Sequence, residues 1–180
     1  MLHLILGGAR SGKSRFALQQ AEILSEESDK PVTYVATATA TDEEMVQRIA
    51  RHQAERPASW ITQEIPLALT EWVELEASDV VIIDCLTLWL NNQLYHRPEQ
   101  DFALLFTELC QALQNSQADI FIVSNEVGLG VIPMGDLSRQ FVDQSGWLNQ
   151  AMAVCVDNVT LISAGLPLAL KRSGELVSPQ

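Results

Sequence analysis

A glycine-rich segment near the start of the chain carries residue types whose spacing suits phosphate binding. Residues 7–14 read Gly-Gly-Ala-Arg-Ser-Gly-Lys-Ser and match the pattern G-x-x-x-x-G-K-[ST]. In this pattern successive backbone amides face the phosphates, the lysine reaches the β- and γ-phosphates, and the hydroxyl is a magnesium ligand. The segment therefore predicts a nucleoside triphosphate site rather than a plain turn, with Lys13 in a catalytic role. Its candidate nucleotide-binding residues are Gly7, Gly8, Ala9, Arg10, Ser11, Gly12, Lys13 and Ser14.

A second group of candidates lies where apolar segments end. Asp84 follows the run Val-Val-Ile-Ile at 80–83, and an acidic residue at the end of such a strand typically faces the magnesium ion. A helix-capping role for Asp84 stays open. We predict Ser14 and Asp84 as the magnesium ligands. Further candidate nucleotide-binding residues are Ala36, Thr37, Ala38, Glu64 and Asp84 itself. Because the carboxyl ends of parallel strands form a ligand crevice, Asn125 and Glu126 are candidate substrate or magnesium contacts, with a plain turn as the alternative.

A third group surrounds His52. Thr41 and Glu44 form a capping box and Pro57 ends the segment, so the pattern predicts a helix over 42–56. Arg48, His52 and Arg56 are spaced i, i+4 and i+8 and lie on one face of it. Neighbouring cations favour a neutral imidazole, which is a competent nucleophile beside guanidinium groups that bind phosphate. From the residues alone, an incidental histidine on a solvated helix face remains an alternative.

The elements that must position these residues alternate between strand and helix. This alternation predicts an α/β fold with a mostly parallel sheet flanked by helices on both faces. We expect one domain over 1–180, an antiparallel edge strand after Gly165, and a loosely held tail from Ser173. The predicted strands are 4–6, 32–36, 80–84, 120–124 and 159–163, and the predicted helices are 13–27, 42–56, 67–77, 99–116 and 137–156.

Composition narrows the class of partner. The net charge is −12 with 11 Lys and Arg residues, which argues against nucleic-acid binding. No apolar run approaches the roughly 18 residues of a membrane span, and the chain enters its first predicted strand without a leader. The three cysteines are scattered, as is typical of reduced thiols rather than a metal site. We therefore expect a cytoplasmic protein.

Several motifs together resemble one family. Beyond residues 7–14, they read R-I-x-x-H-x-x-x-R-P-x-x-W-x-T-x-E from 48, S-N-E-V-G-x-G-x-x-P from 124 and R-x-F-x-D-x-x-G-x-x-N-Q from 139. In their order and spacing, from Leu4 to Lys171, they resemble the bifunctional adenosylcobinamide kinase / adenosylcobinamide-phosphate guanylyltransferase family.

This resemblance implies a reaction and an assembly. It implies phosphorylation of adenosylcobinamide by ATP or GTP, then transfer of GMP from GTP through a guanylylated His52 to give adenosylcobinamide-GDP. It also implies a P-loop NTPase fold of the RecA-like type and a homotrimer. Some members carry two adjacent histidines where this chain has Arg51 and His52, and many have arginine at the position of Val142.

Two other functions stay open at this point. One is a simple P-loop small-molecule kinase in which His52 takes no part. The other is a non-catalytic GTP-binding switch, which would bind nucleotide tightly without turnover that depends on cobinamide.

Overall fold

The computed structural model describes residues 1–39, 43, 46–47, 50, 53, 56–75 and 79–177. The strands are β1 (Leu2–Gly7), β2 (Val32–Ala36), β3 (Ile61–Glu64), β4 (Val80–Asp84), β5 (Asp119–Asn125), β6 (Asn158–Ser163), β7 (Leu166–Arg172) and β8 (Glu175–Leu176). The helices of these ranges are α1 (Lys13–Ser28), α2 (Leu69–Leu75), α3 (Leu86–His96), α4 (Phe102–Asn115) and α5 (Asp136–Cys155).

The strands form one mostly parallel sheet, in the order β3-β2-β4-β5-β1-β6-β7-β8. The first six strands in this order run parallel, and β7 and β8 are antiparallel to their neighbours. The strands of the centre are continuous apolar runs because both of their faces are buried, as Val80–Ile83 of β4 illustrates. The predicted fold class and the antiparallel return are confirmed.

Helices cover both faces of the sheet and create two cores. The larger core joins one face to α2, α3, α4 and α5 through side chains such as Trp89, Leu109 and Met152. The smaller core joins the other face to α1 through Ala17 and Ala21. Small alanines let α1 lie close to the strands, which brings its first turn to the carboxyl edge of β1. Among the described helices, none has the length and apolarity needed to cross a membrane.

Three of the described elements, α3, β3 and the terminal strand β8, were missed by the sequence prediction. The sequence did not predict helix α3 because seven of its residues are buried, including Thr87, Asn92 and Gln93. Its sequence therefore shows no amphipathic stripe. Its N-cap, Cys85, also makes no side-chain capping bond. Strand β3 pairs with β2 at the sheet edge and is mostly exposed, which leaves only a short alternating pattern in the sequence.

The C-terminal hairpin is anchored at both of its ends. Ala164 and Gly165 turn with positive φ values of 52° and 80°, as a two-residue hairpin turn requires. Lys171 of β7 donates to the carbonyls of Ala153, Val154 and Val156 and so caps the C-terminus of α5. The expected loose tail is wrong for Glu175 and Leu176, which form the outermost strand.

His3 packs β1 against α1. Its ring lies edge-on to Phe16 at a centroid distance of 6.2 Å and tilted against Phe121 at 5.9 Å. Its Nε2 shares a 2.8 Å hydrogen bond with the Thr160 hydroxyl. Burial lowers the pKa of His3 from 6.5 to about 4, because the charged ring loses hydration.

A His3→Gln variant should lose part of the pH dependence of stability. Because the folded pKa lies below the unfolded one, the neutral ring contributes stability above pH 6.5 that is lost as the pH falls from 6.5 towards 4. Between these values the wild-type free energy of unfolding, measured in urea, should drop more steeply than that of the variant. Parallel curves across this window would contradict the assignment.

Candidate functional site

The predicted phosphate loop joins β1 to α1. Gly12 precedes the helix in the left-handed region with φ 103°, and Arg10 has φ 56°. Helix α1 begins at Lys13 and carries no acidic side chain in its first turn. The amide groups of its first turn and its dipole therefore favour an anion at this end. Gly8, Ala9 and Arg10 are exposed along the loop.

Lys13 lies across this loop. Its side chain is buried, and its Nζ donates to the carbonyl of Gly8 at 2.6 Å. The amine is therefore held inside the loop rather than extended into solvent, at the position from which a P-loop lysine reaches phosphate oxygens.

Neighbouring strands brace the loop from two sides. From the β6–β7 turn, Gly165 donates its amide to Ser11 O at 2.9 Å, and from the end of β5, Glu126 donates to Gly7 O at 3.0 Å. A Cβ on Gly7 would lie 2.4 Å from Ile162 O. The Ser11 hydroxyl is buried and finds no hydrogen-bond partner within the described part of the chain. The loop is thus held by backbone contacts, with an unused hydroxyl inside it.

Asp84 lies at the carboxyl end of β4. Its Oδ2 accepts a 2.6 Å hydrogen bond from the Tyr34 hydroxyl. Burial, and next the Asp84 carboxylate, raise the pKa of Tyr34, so its hydroxyl stays protonated and donates. Sequence reasoning missed this contact, which depends on strand register.

The donor set at this edge suits magnesium. Ser14, in the first turn of α1, offers a hydroxyl, and Asp84 offers a carboxylate oxygen. The described residues contain no group of three or more His, Cys, Asp or Glu side chains that could hold a metal ion. One carboxylate and one hydroxyl, completed by substrate phosphates and water, are the kind of hard-oxygen set that Mg²⁺ takes. These two side chains would hold it.

The candidate residues at the end of β2 and just after it, Ala36, Thr37 and Ala38, lie next to helix α3, which the sequence did not predict. Thr37 is fully buried, and its hydroxyl donates to Cys85 O and accepts from Cys85 N. Asn92 of α3 donates to the carbonyls of Thr37 and Pro66. The Thr37 side chain is therefore occupied in fixing the path of the loop, beside the half-buried Ala36 and Ala38.

Arg56 lies over Tyr34 of β2, and Glu64 is the last residue of β3. The Arg56 guanidinium carbon is 3.3 Å from the centroid of the Tyr34 ring, and Nη1 is 3.4 Å from the Thr62 hydroxyl. Glu64 ends β3 opposite Ala36 of β2 and is exposed.

The centre of the predicted 42–56 helix lies outside the described residues. Arg48, Arg51 and His52 belong to that part, as do the capping residues Thr41 and Glu44. The described positions 43, 46, 47, 50 and 53 are helical and exposed, which agrees with the predicted helix at those positions.

A buried polar network supports the end of β5. Ser124 donates to Asn149 Oδ1 at 2.7 Å, and Asn149 Nδ2 donates to Asn125 O at 3.1 Å. The amide of Asn125 in turn donates to the Thr87 hydroxyl at 2.7 Å. Glu126 accepts from the amide of Gly128 through Oε1. Asn125 and Glu126, both predicted as contacts, thus lie beside the phosphate loop, whereas Thr87 and Asn149 were missed.

Comparison with protein families gives one match that spans nearly the whole chain. The family model described as cobinamide kinase / cobinamide phosphate guanyltransferase matches residues 3–170. The chain is 50% identical over 173 residues to the bifunctional adenosylcobalamin biosynthesis protein CobP of Pseudomonas aeruginosa, covering 95% of this chain and 98% of the relative. It is 36% identical over 186 residues to the bifunctional adenosylcobalamin biosynthesis protein CobU of Salmonella typhimurium, covering 95% and 100%.

Solved structures show the same fold at low sequence identity. The flagellar accessory protein FlaH of Methanocaldococcus jannaschii superposes with a TM-score of 0.58 at 16% identity, covering 98% of this chain and 81% of that one. A second solved structure, of an ATPase domain, gives a TM-score of 0.50 at 13% identity, with coverages of 89% and 68%. These likenesses concern the fold alone, and they agree with the predicted α/β fold with a mostly parallel sheet flanked by helices.

Adjacent glycines of the loop should respond differently to a methyl group. Gly7→Ala should lower the free energy of unfolding by about 1–3 kcal/mol, because the added Cβ would overlap the Ile162 carbonyl. Gly8→Ala is the matched control, since its Cβ would meet nothing within 4 Å, and it should change stability by less than about 0.5 kcal/mol. Urea unfolding without nucleotide makes the comparison. Equal effects would show that the loop is not packed as described.

Proposed function

The chain belongs to the cobinamide kinase / cobinamide phosphate guanyltransferase family, and from that premise we propose that it catalyses both transfers itself. It phosphorylates adenosylcobinamide with ATP or GTP, and then transfers GMP from GTP to the new phosphate to give adenosylcobinamide-GDP. The whole of 1–180 acts as one catalytic unit in this proposal.

The phosphoryl transfer uses the phosphate loop. The amides of residues 8–12 and Lys13 Nζ bind the β- and γ-phosphates, with Arg10 at the exposed rim of the loop. Lys13 exchanges its bond to Gly8 O for phosphate oxygens, a charge-assisted interaction of greater strength. Magnesium, when bound by Ser14 and Asp84, would neutralise the charge that develops on the transferring group. The corrinoid hydroxyl attacks the γ-phosphorus and releases its proton to solvent, while the bond from the γ-phosphorus to the β–γ bridging oxygen breaks and the nucleoside diphosphate leaves.

The guanylyl transfer uses His52. Its neutral imidazole attacks the α-phosphorus of GTP, a nitrogen–phosphorus bond forms and pyrophosphate leaves. A phosphate oxygen of adenosylcobinamide phosphate then attacks the same phosphorus and releases the imidazole. Arg48 and Arg56 hold phosphate oxygens during both steps.

One observation carries this assignment. Arg56, four residues after His52 in the sequence, stacks on Tyr34, whose hydroxyl binds the nucleotide-side carboxylate Asp84. The segment that follows His52 thus returns to the carboxyl edge that holds the phosphate loop. A plain kinase needs no such return, and this contact supports a second reaction at the same edge.

Incubation with GTP and magnesium should leave a GMP adduct on wild-type protein and on His96→Ala, but not on His52→Ala. His96 is an exposed histidine at the end of α3 and serves as the matched control. Because the kinase reaction does not use the imidazole, His52→Ala should still phosphorylate adenosylcobinamide at a rate close to wild type. Intact-protein and peptide mass spectrometry measure the adduct and its position.

Other outcomes identify the alternatives. A wild-type chain that phosphorylates cobinamide and never acquires GMP is a simple kinase. A chain that binds GTP without cobinamide-dependent turnover is a switch. Lys13→Ala should lose both transfers, because each of them requires a nucleoside triphosphate bound at the phosphate loop.

We also propose that the protein works in the cytoplasm as a homotrimer. All three cysteines are free thiols, as reducing compartments favour. The loop between β5 and α5 carries a contiguous run of exposed apolar side chains, in which Val131 and Met134 are 97% and 94% exposed. Exposed apolar patches of this kind support association between protein surfaces.

Light scattering should therefore give three times the 19.9 kDa of one chain. A Val131→Asp and Met134→Asp double variant should lower that mass, because two charges would lose hydration at the contact. Leu75→Asp, at an 87% exposed apolar site on α2, is the control and should leave the mass unchanged. A monomeric wild-type protein would contradict the proposal.

A further inference from the structure

Tyr34 is a polar residue inside an otherwise buried strand. Only 3% of it is exposed, and its ring packs in the smaller core beside α1. A buried hydroxyl requires a hydrogen-bond partner. Register supplies one, since Tyr34 pairs with Ile82 and Ala36 pairs with Asp84. Asp84 is therefore the diagonal neighbour of Tyr34 on the same face, within reach of a long side chain.

Arg56 covers the face of the same ring. Its guanidinium carbon lies 3.3 Å from the ring centroid, well inside the distance of a cation–π contact. Its Nε is buried and without a hydrogen-bond partner within the described part of the chain. The guanidinium is thus held by the ring beneath it together with a 3.4 Å hydrogen bond from Nη1 to the Thr62 hydroxyl.

We propose that Tyr34 is a positioning residue for both transfers, whose hydroxyl orients Asp84 and whose ring holds Arg56 at the nucleotide edge. This inference rests on the proposed function. The hydroxyl engages Oδ2 of Asp84 and so fixes the carboxylate that would bind magnesium. The ring keeps the cation that follows His52 in place for the phosphates of GTP. One side chain therefore links the two reaction centres.

The two parts of Tyr34 can be removed separately. Tyr34→Phe deletes the hydroxyl and keeps the ring. Tyr34→Leu deletes both and keeps an apolar side chain in the core. Arg56→Gln removes the cation without touching the core, and Arg56→Lys keeps its charge but lacks the flat guanidinium that stacks on a ring.

The hydroxyl is tested by metal affinity rather than by activity. Binding of Mn²⁺ in the presence of a non-hydrolysable ATP analogue, measured by electron paramagnetic resonance, should weaken about 10-fold in Tyr34→Phe, as for other groups that orient a metal ligand. Tyr95→Phe, at the 79% exposed second tyrosine, is the matched control and should bind as wild type does. Unchanged Mn²⁺ affinity in Tyr34→Phe would overturn the role of the hydroxyl.

The ring is tested by a double-mutant cycle on the rate of GMP-adduct formation at saturating metal. Tyr34→Leu and Arg56→Gln should each slow it about 10-fold, within the range of a partly buried cation–π contact. The double variant should be no slower than the slower single variant, because both remove one interaction. Arg56→Lys should recover only part of the rate. If the double variant were slowed by the product of the two single fold reductions, the residues would act independently, and the role of the ring would be overturned.

A second arm covers the case in which Tyr34→Leu fails to fold. Because Tyr34→Phe keeps the ring, Arg56→Gln should slow adduct formation about 10-fold in this background as in wild type. A loss of that effect in the phenylalanine background would contradict the separation of ring and hydroxyl. Failure of the proposed function is distinguishable, since wild-type protein would then form no adduct while the Mn²⁺ measurement still decides the role of the hydroxyl.

Discussion

The carbonyl of Ile162 passes so close to Gly7 that a Cβ there would lie 2.4 Å from its oxygen, and the shape of the phosphate loop follows from this contact. The loop has to leave β1 at that point, and the amide of Gly165 then holds it through Ser11 O. Helix α1 begins where the loop ends, so the direction of its dipole and the position of Lys13 depend on the same packing. The C-terminal hairpin is thus part of the nucleotide site although it contributes no candidate ligand.

Residues in the loop and at the strand ends could be predicted because their chemistry is local. The glycine-rich pattern correctly placed a loop between β1 and α1, and the apolar run before Asp84 placed this residue at the carboxyl end of β4. Their roles as phosphate and magnesium ligands stay predictions. The positions of the central strands could also be predicted, since buried parallel strands are continuous apolar runs in the sequence. Helix α3 could not be predicted in this way, because its burial on most sides removes the periodic pattern of apolar and polar residues. Its Asn92 nonetheless determines where the loop after β2 runs.

Side-chain contacts between elements could not be predicted from the sequence for a different reason. Nothing local to Tyr34 indicates that its hydroxyl meets Asp84, since that depends on which strands are neighbours and in what register. The same is true of Ser124 and Asn149, whose hydrogen bond spans β5 and α5. Predictions from spacing along the chain find groups that bind a ligand directly. The groups that orient them become visible only when the sheet order is known.

An acidic chain that handles several phosphates must concentrate its few cations. The net charge is −12, so a triphosphate meets a repulsive field except where Lys13, the α1 dipole and arginines offset it. The proposed mechanism, with two transfers at one edge, makes this requirement stricter, because the γ-phosphorus would react in one transfer and the α-phosphorus in the other. Cations placed only to stabilise charge at the γ-phosphate would stabilise charge at the α-phosphate poorly. An arginine held on an aromatic ring meets this need, since the ring fixes its place without neutralising its charge as a carboxylate partner would. In the proposed mechanism, Tyr34 contacts both this arginine and Asp84, so the geometry of the second transfer would depend on that of the first.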